Sequence, residues 1–366
     1  MNEYDVIVVG AGPAGSAAAK VVAERGLKAI LLEEHTIVGV PEHCWGLLHR
    51  TTRPELYEDI IREMHQSVVL TEYRLERVFA PSGKVVQELS VAGTADYLVR
   101  RDEFDRELAR QAVNAGADLR LNTRVTGLLK QNGRVIGVTT NSNTTPTLYG
   151  KIVIGADGIH AAQKGTPRWQ GLIRAEQTFI GGITLELARV RDIEPDVLEW
   201  HTGAFIKRGW TGICPRDDVS CTIDFMSLAE FEQVKSGNYV ISRKLRDAVP
   251  VRMAGWSHPS DLGIGLNKVV EDGLILAGSA ALLIGILPAI VSGRYAAEVA
   301  VEAIKEGDVT VKKLSKYEDQ FKTLRGPAGF MDSPPFYKCS SDEAIENLLI
   351  EMIERDEFPL TTPIPI

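Results

Sequence analysis

Hydrophobic positions divide the chain into short apolar runs and longer stretches of helical period. Residues 4–9 (YDVIVV) are a short, β-branched run that predicts a buried strand. An alanine-rich stretch at 16–25 predicts a helix that stops at Gly26. Residues 27–32 predict a second strand, ending on Glu33. Gly, Pro and His then mark a loop over 34–48, and 57–64 reads as helical. Residues 67–90 alternate weakly and break at Pro81-Ser82-Gly83, the pattern of antiparallel sheet with a hairpin turn. Phe104, Leu108, Gln111 and Ala112 share one face of a helix that opens near residue 98 and ends at Gly116. Residues 118–123 predict a strand, 125–130 and 134–139 a hairpin around Asn132-Gly133, and 152–154 a buried strand.

Four runs between about 177 and 224 (FIGGITLEL, VLEWHTGAFI, GWTGICP, SCTIDF) predict a second antiparallel sheet, with a short helix at 243–248. The run DGLILAG at 272–278 predicts a late buried strand, followed by a helix over 292–305. Residues 311–325 place Leu314, Tyr317, Phe321 and Leu324 on one helix face. A capping box of Ser340 and Glu343 opens a last helix that carries Ile345, Leu348, Leu349, Met352 and Ile353. A Pro-rich linker at 332–336 lies between these helices, and the tail after Phe358 reads as loose. The class is α/β with an α+β insert. Residues 1–50, 95–165 and 265–306 form a Rossmann-like domain. Residues 51–94 and 166–264 form an antiparallel-sheet substrate domain, and 307–366 a C-terminal helical segment.

Composition changes this picture in few places. With 44% hydrophobic and 25% charged residues, 366 residues suffice for two ordinary cores. A net charge of −8 argues against a nucleic-acid partner. The cysteines, Cys44, Cys214, Cys221 and Cys339, show no zinc or iron–sulfur spacing, so no metal is expected. No signal peptide precedes Tyr4, and a reducing, cytoplasmic setting is expected. The run 273–293 carries no charge and is long enough to span a bilayer, but Gly278-Ser279, Gly285 and Pro288 interrupt it. It reads better as a buried strand and turn, or as a segment touching a membrane surface.

The sharpest chemical signal is GAGPAG, Gly10 to Gly15, between the first strand and the first helix. Gly10 permits a tight turn, Gly12 lets the backbone approach a pyrophosphate, and Gly15 lets helix and strand pack closely. The helix N-terminus offers N–H groups to phosphate oxygens. Glu33, at the end of the second strand, suits a ribose. The motif alone leaves NAD and FAD open. GADG at 155–158 is a second glycine turn directly after a buried strand. Cys44 alone reads as a small buried residue. Phe179, Trp200, Phe205, Trp210, Phe225 and Trp256 suit either plain core packing or a long apolar pocket.

GAGPAG, RDEFD at 101–105, GADG and DGLILAG stand in one order. Together they resemble the FAD-dependent family that includes aromatic hydroxylases and geranylgeranyl reductases. In that family the late strand returns the chain beneath the flavin, which implies FAD. GVPEHCWGLL, IEPDVLEWHTG with GWTGICPRDD, and AIVSGRYAAEVA resemble the geranylgeranyl reductases more closely, the archaeal digeranylgeranylglycerophospholipid reductases among them. The likeness covers roughly residues 1–305.

The resemblance implies that Gly10, Gly12, Pro13, Ala14 and Gly15 hold the pyrophosphate, and that Glu33 and Glu34 serve the adenosine ribose. It places Cys44, Trp45 and Gly46 near the isoalloxazine, Arg101 on the flavin chain and Val125 beside the adenine. Asp157 supports its turn more than it touches FAD. Gly278 and Ser279 fall to the ribityl chain, with Ser279 where the family usually has aspartate. The following loop is shorter than the family's, and Cys214 stands where phenylalanine is usual. The implied activity is reduction of carbon–carbon double bonds in isoprenoid chains of lipids. Cys44 is the candidate catalytic residue, and ferredoxin or NAD(P)H the candidate electron donor. Peripheral membrane contact would use apolar residues near 282–291. Two other readings are an FAD-dependent aromatic monooxygenase or halogenase, and a non-catalytic lipid- or partner-binding protein on a degenerate flavoprotein fold.

Overall fold

The computed structural model describes residues 3–49, 54–64, 66–91, 96–159, 179–259, 268–324, 335–355 and 357. Residues 332–334 of the expected linker and the tail from Phe358 lie outside these. The N-terminal apolar run forms the strand Glu3–Val9, buried because it has strands on both sides. Ala29–Leu32 pairs with it in parallel on one side, and Thr147–Gly155 on the other. Leu274–Leu276, from far along the chain, extends the sheet in parallel beside Thr147–Gly155. The hairpin Val125–Gln131 and Arg134–Thr140 joins the same sheet through Thr147–Gly155. The helix Pro13–Glu24 packs against Arg101–Asn114 and against the long helix Ile286–Glu306. Its alanines 14, 17, 18 and 19 are buried, and their small side chains allow that close packing.

The second sheet has seven strands, in the order Val249–Pro259, Phe179–Ala188, Ser220–Phe225, Trp210–Pro215, Val197–Thr202, Leu75–Phe79, Val85–Ser90. Its pairs are antiparallel except Val197–Thr202 with Leu75–Phe79, which run parallel. One face buries Leu185, Ile213, Ile223 and Phe225 beneath the helices Leu228–Ser236 and Val240–Leu245. The opposite face carries Trp200, Trp210 and Cys214, which cluster with Phe336, Ile345 and Leu349. Asp118–Arg120 and Val270–Glu271 lie at the two ends of the first sheet, and Leu47–Leu48, Tyr97–Val99 and Val69–Glu72 form a small three-stranded sheet. The fold is α/β with an antiparallel insert, the expected class.

Several elements depart from their sequence signals. The late helix starts at Ile286 rather than 292, because Pro288 lies in its first turn, where the missing N–H costs no hydrogen bond. The helix expected over 311–325 is two, Val311–Leu314 and Lys316–Thr323, stepped where the Ser315 hydroxyl donates to the Lys312 carbonyl. The last helix, Asp342–Glu354, is capped by Ser341, whose oxygen accepts from the Ala344 N–H, and not by Ser340. The short helix is Val240–Leu245 instead of 243–248, and the helix Leu228–Ser236 and the strand Val249–Pro259 went unpredicted.

The uncharged run 273–293 is interior. Leu274, Ile275 and Leu276 are fully buried, and Leu282, Leu283, Ile286, Leu287 and Ile290 are buried as well. The apolar surface expected near 282–291 is therefore core. Among the described residues no helix is long and apolar enough to cross a membrane.

Candidate functional site

The glycine loop is held by its backbone. Gly10 donates to the Leu32 carbonyl at 2.7 Å and adopts φ +96°. A Cβ on Gly10 would lie 2.6 Å from the Ala156 oxygen and 2.7 Å from Asp157 Cα. The GADG turn thus sits against the glycine loop, and Asp157 is placed as a neighbour of that turn. A Cβ on Gly15 would lie 1.9 Å from the Gly10 oxygen, a distance no side chain can occupy. Gly12 differs: a Cβ there would meet nothing within 4 Å. Gly12 caps the helix with extended backbone and Pro13 follows at the first helical position. No side chain caps this end and no acid stands in its first turn. The first-turn N–H groups of Ala14 and Gly15 have no intrahelical acceptor and, with the dipole, favour an anion. Open space over Gly12 and free first-turn N–H groups fit a pyrophosphate.

Glu33 is nearly buried and already partnered. Oε2 accepts from the Ala11 N–H at 2.9 Å, while Oε1 accepts from the His35 N–H at 3.0 Å and lies 2.7 Å from His35 Nδ1. The carboxylate ties the glycine loop to the end of the second strand, and its oxygens retain acceptor capacity for a hydroxyl donor. Glu34 instead pairs with Arg124 at 2.8 Å on the surface. Val125 is buried in the first core at the start of its strand.

The late strand ends in a tight turn over Gly278–Ala281. Gly278 receives its N–H partner from the long helix, Ser292 Oγ at 2.8 Å. A Cβ on Gly278 would lie 2.8 Å from Ala14 Cβ, so this turn touches the glycine-loop helix. Ser279 donates its hydroxyl to the Leu283 carbonyl at 3.0 Å. Its proton therefore closes the turn, and only its lone pairs are left for a ligand.

Cys44, Trp45 and Gly46 connect the two halves. Cys44 is partly buried against the first core, and its Sγ accepts from the Gly46 N–H at 3.4 Å. Gly46 adopts φ +91°, and a Cβ there would come 2.4 Å from the Val99 oxygen, which pins the loop just ahead of Arg101. Arg101 forks onto Asp105, at 3.1 Å from Nε and 2.9 Å from Nη2. Burial works against its charge, but the Asp105 carboxylate outweighs it and holds the guanidinium well above its usual range. Trp45 crosses to the second sheet, with its ring centroid 5.9 Å from that of Trp200, which in turn lies 5.8 Å from Trp210. A Cβ on Gly212 would press on both Trp200 and Trp45, so the glycine makes room for this edge-to-face row. Glu42 and Arg252 pair at 2.8 Å and fasten the same loop to the outer strand of the second sheet.

Two polar groups carry no sequence signature, one beside this row and one on the opposite face of the sheet. His49 Nδ1 lies 2.6 Å from Asp96 and 3.9 Å from Glu76, both fully buried carboxylates. The ligand atoms of the three lie within 4.8 Å of one another, close enough to share a metal ion. Trp200 Nε1 also donates to Glu76 at 3.4 Å. Farther along, Glu199 accepts from Lys244 at 2.9 Å and lies 2.9 Å from His201 Nε2. Each group is drawn from distant segments, which no spacing rule detects. The donor set at the glycine loop and the aromatic cluster that Trp45 joins beside Cys44 suit a bound redox cofactor facing an apolar substrate.

Comparison with known proteins adds three findings. The family model described as FAD binding domain matches residues 3–221. The digeranylgeranylglycerophospholipid reductase of Thermoplasma acidophilum is 31% identical over 346 residues, covering 88% of this chain and 84% of that protein. The crystal structure of a geranylgeranyl bacteriochlorophyll reductase-like protein from the same organism matches with a TM-score of 0.74. It is 26% identical and covers 97% of this chain and 99% of its own.

Proposed function

This chain belongs to the FAD binding domain family, and we propose that within it the protein is a reductase that saturates carbon–carbon double bonds in geranylgeranyl or related isoprenoid chains of lipids. One observation carries the reading. The loop that bears Cys44 reaches from the glycine-loop half to an aromatic wall, Trp45, Trp200 and Trp210, on the second sheet. FAD would be held by Gly10, Gly12, Pro13, Ala14 and Gly15 at its pyrophosphate and by Glu33 at its ribose. Arg101, Gly278 and Ser279 would line the rest.

When bound and reduced, the flavin supplies hydride to the alkene. The chain's own residues do the remaining work. The indole row excludes water and orients an apolar chain. Cys44 holds a proton at Sγ for the carbon that does not receive hydride, because an isolated alkene carries no carbonyl to accept charge. Reduced ferredoxin or NAD(P)H supplies the electrons, and the lipid is met at a membrane surface.

Purification without added cofactor tests the reading. The expected protein is yellow, and its photoreduced flavin is reoxidised by a geranylgeranyl lipid without oxygen. Replacement Cys44→Ser is expected to slow that reoxidation by roughly 100-fold at unchanged flavin content. A colourless protein that cannot take up FAD would overturn the proposal and favour a binding role instead. Reduction by ferredoxin against reduction by NADPH identifies the donor, and cosedimentation with lipid vesicles tests the membrane contact.

A further inference from the structure

Three N–H donors on the aromatic side of the second sheet end without an acceptor. They are Nη2 of Arg208, Nε1 of Trp210 and Nε1 of Trp256, each a buried atom without a hydrogen-bond partner among the described residues. Buried donors are normally paired, because an unmade hydrogen bond away from water is costly. Three in one cluster call for a ligand that supplies acceptors.

The cluster is built, not incidental. Arg208 lies in the loop between Val197–Thr202 and Trp210–Pro215, and its Nε donates to the Trp210 carbonyl at 2.9 Å. Its guanidinium carbon sits 4.0 Å from the Trp210 ring centroid and 5.7 Å from that of Trp256. Stacking on the two indoles restrains the planar fork while leaving Nη2 unused. Trp256 is seated over Gly182, where a Cβ would come within 2.4 Å of the ring. Strand register puts Trp256, Gly182, Thr184, Asp224, Trp210 and Trp200 on one face, that of the aromatic row.

The nearby carboxylates do not complete the donors. Asp224 attracts Arg208, but its Oδ1 accepts from Thr184 Oγ1 at 2.5 Å. Glu230 accepts from the backbone N–H groups of Lys207 and Met226. Burial pushes the Asp224 carboxyl up to about 6.

Several donors around one guanidinium, with few competing acceptors, match the oxygen-rich surface of a phosphate group. We propose that Arg208, Trp210 and Trp256 form a phosphate subsite, which takes the phosphate of the lipid's polar end while the isoprenoid chain runs past Trp200 and Trp45 toward Cys44. The identity of the chain attached to that phosphate rests on the reductase reading above; the donor set itself does not.

The test is calorimetry on the FAD-loaded, full-length protein with three probes: geranylgeranyl phosphate, geranylgeraniol and inorganic phosphate. The phosphate ester is expected to bind about ten- to a hundred-fold more tightly than the alcohol. Arg208→Met is expected to abolish that preference. Trp256→Phe keeps a ring and removes one donor, and is expected to reduce the preference by several-fold at unchanged FAD content. Equal affinity for ester and alcohol in the unaltered protein, or a preference that survives both substitutions, overturns the subsite. If neither prenyl probe binds but inorganic phosphate does, and Arg208→Met removes that binding, the subsite stands with free phosphate as its ligand and the lipid reading falls.

Discussion

Gly12 and Gly15 stand three residues apart and serve opposite purposes. A methyl at Gly15 would collide with the Gly10 carbonyl at 1.9 Å, whereas one at Gly12 would enter open space over the helix N-terminus. Gly15→Ala is therefore expected to prevent folding, seen as loss of soluble protein. Gly12→Ala is expected to fold with a near-unchanged melting temperature but to bind FAD at least roughly ten-fold more weakly, because the methyl fills the place of a phosphate. Equal FAD affinity in Gly12→Ala would remove the glycine loop from the cofactor site. Asp224 gives a prediction in pH. Its folded value, about 6, lies above that of an unfolded chain, so its stabilising contribution is complete below about pH 4 and lost as pH rises through 6. Asp224→Asn is then expected to raise stability at pH 8 by on the order of 2 kcal/mol and to leave it unchanged near pH 4. Thermal melts at the two pH values check this.

Caps and registers decide matters at the level of the element. Two serines adjoin before the last helix, and sequence spacing favours Ser340 because Glu343 follows it by three. The backbone chooses Ser341, which accepts from Ala344 and is extended at the cap. Ser341→Ala is expected to cost about 1 kcal/mol and Ser340→Ala close to nothing, read from chemical denaturation. The reverse ranking would restore the sequence assignment. The helix Leu228–Ser236 shows the converse lesson. Ser227 and Glu230 form a capping pair that is visible in the sequence: Ser227 accepts from the Glu230 N–H, and Glu230 reaches back to Met226. The strand Val249–Pro259 carries no such signal: its apolar Val249, Val251 and Met253 are exposed on one face at the edge of the sheet, where alternation would have put them inside.

The whole molecule is tied together by segments from both ends of the chain. Leu314, Tyr317 and Phe321 join the first core, while Ile345 and Leu349 join the aromatic cluster of the second sheet. The helices after residue 307 thus divide between two cores rather than forming one segment. Ile345 is fully buried against that cluster, and Ile345→Ala is expected to cost about 2–4 kcal/mol. Because its neighbours include Trp200 and Trp210, the loss is expected to appear in tryptophan fluorescence before flavin is released. Simultaneous loss of both signals at unchanged stability would place the helix elsewhere.

The local order of apolar runs and glycines determined the nucleotide half. Strand, GAGPAG turn, helix and Glu33 lie within one stretch of sequence, and their geometry follows from local backbone rules. The class of the second sheet was legible for the same reason, since alternation is a local property. Tertiary structure alone decided the rest. It seated Trp45 in the gap left by Gly212, turned the Ser279 hydroxyl onto Leu283, and buried the uncharged run 273–293 that resembled a membrane segment. It also gathered Arg208, Trp210 and Trp256 into one donor cluster. These are contacts between residues far apart in the chain. They depend on which faces pack together, and that is settled by burial over whole sheets rather than by any local pattern.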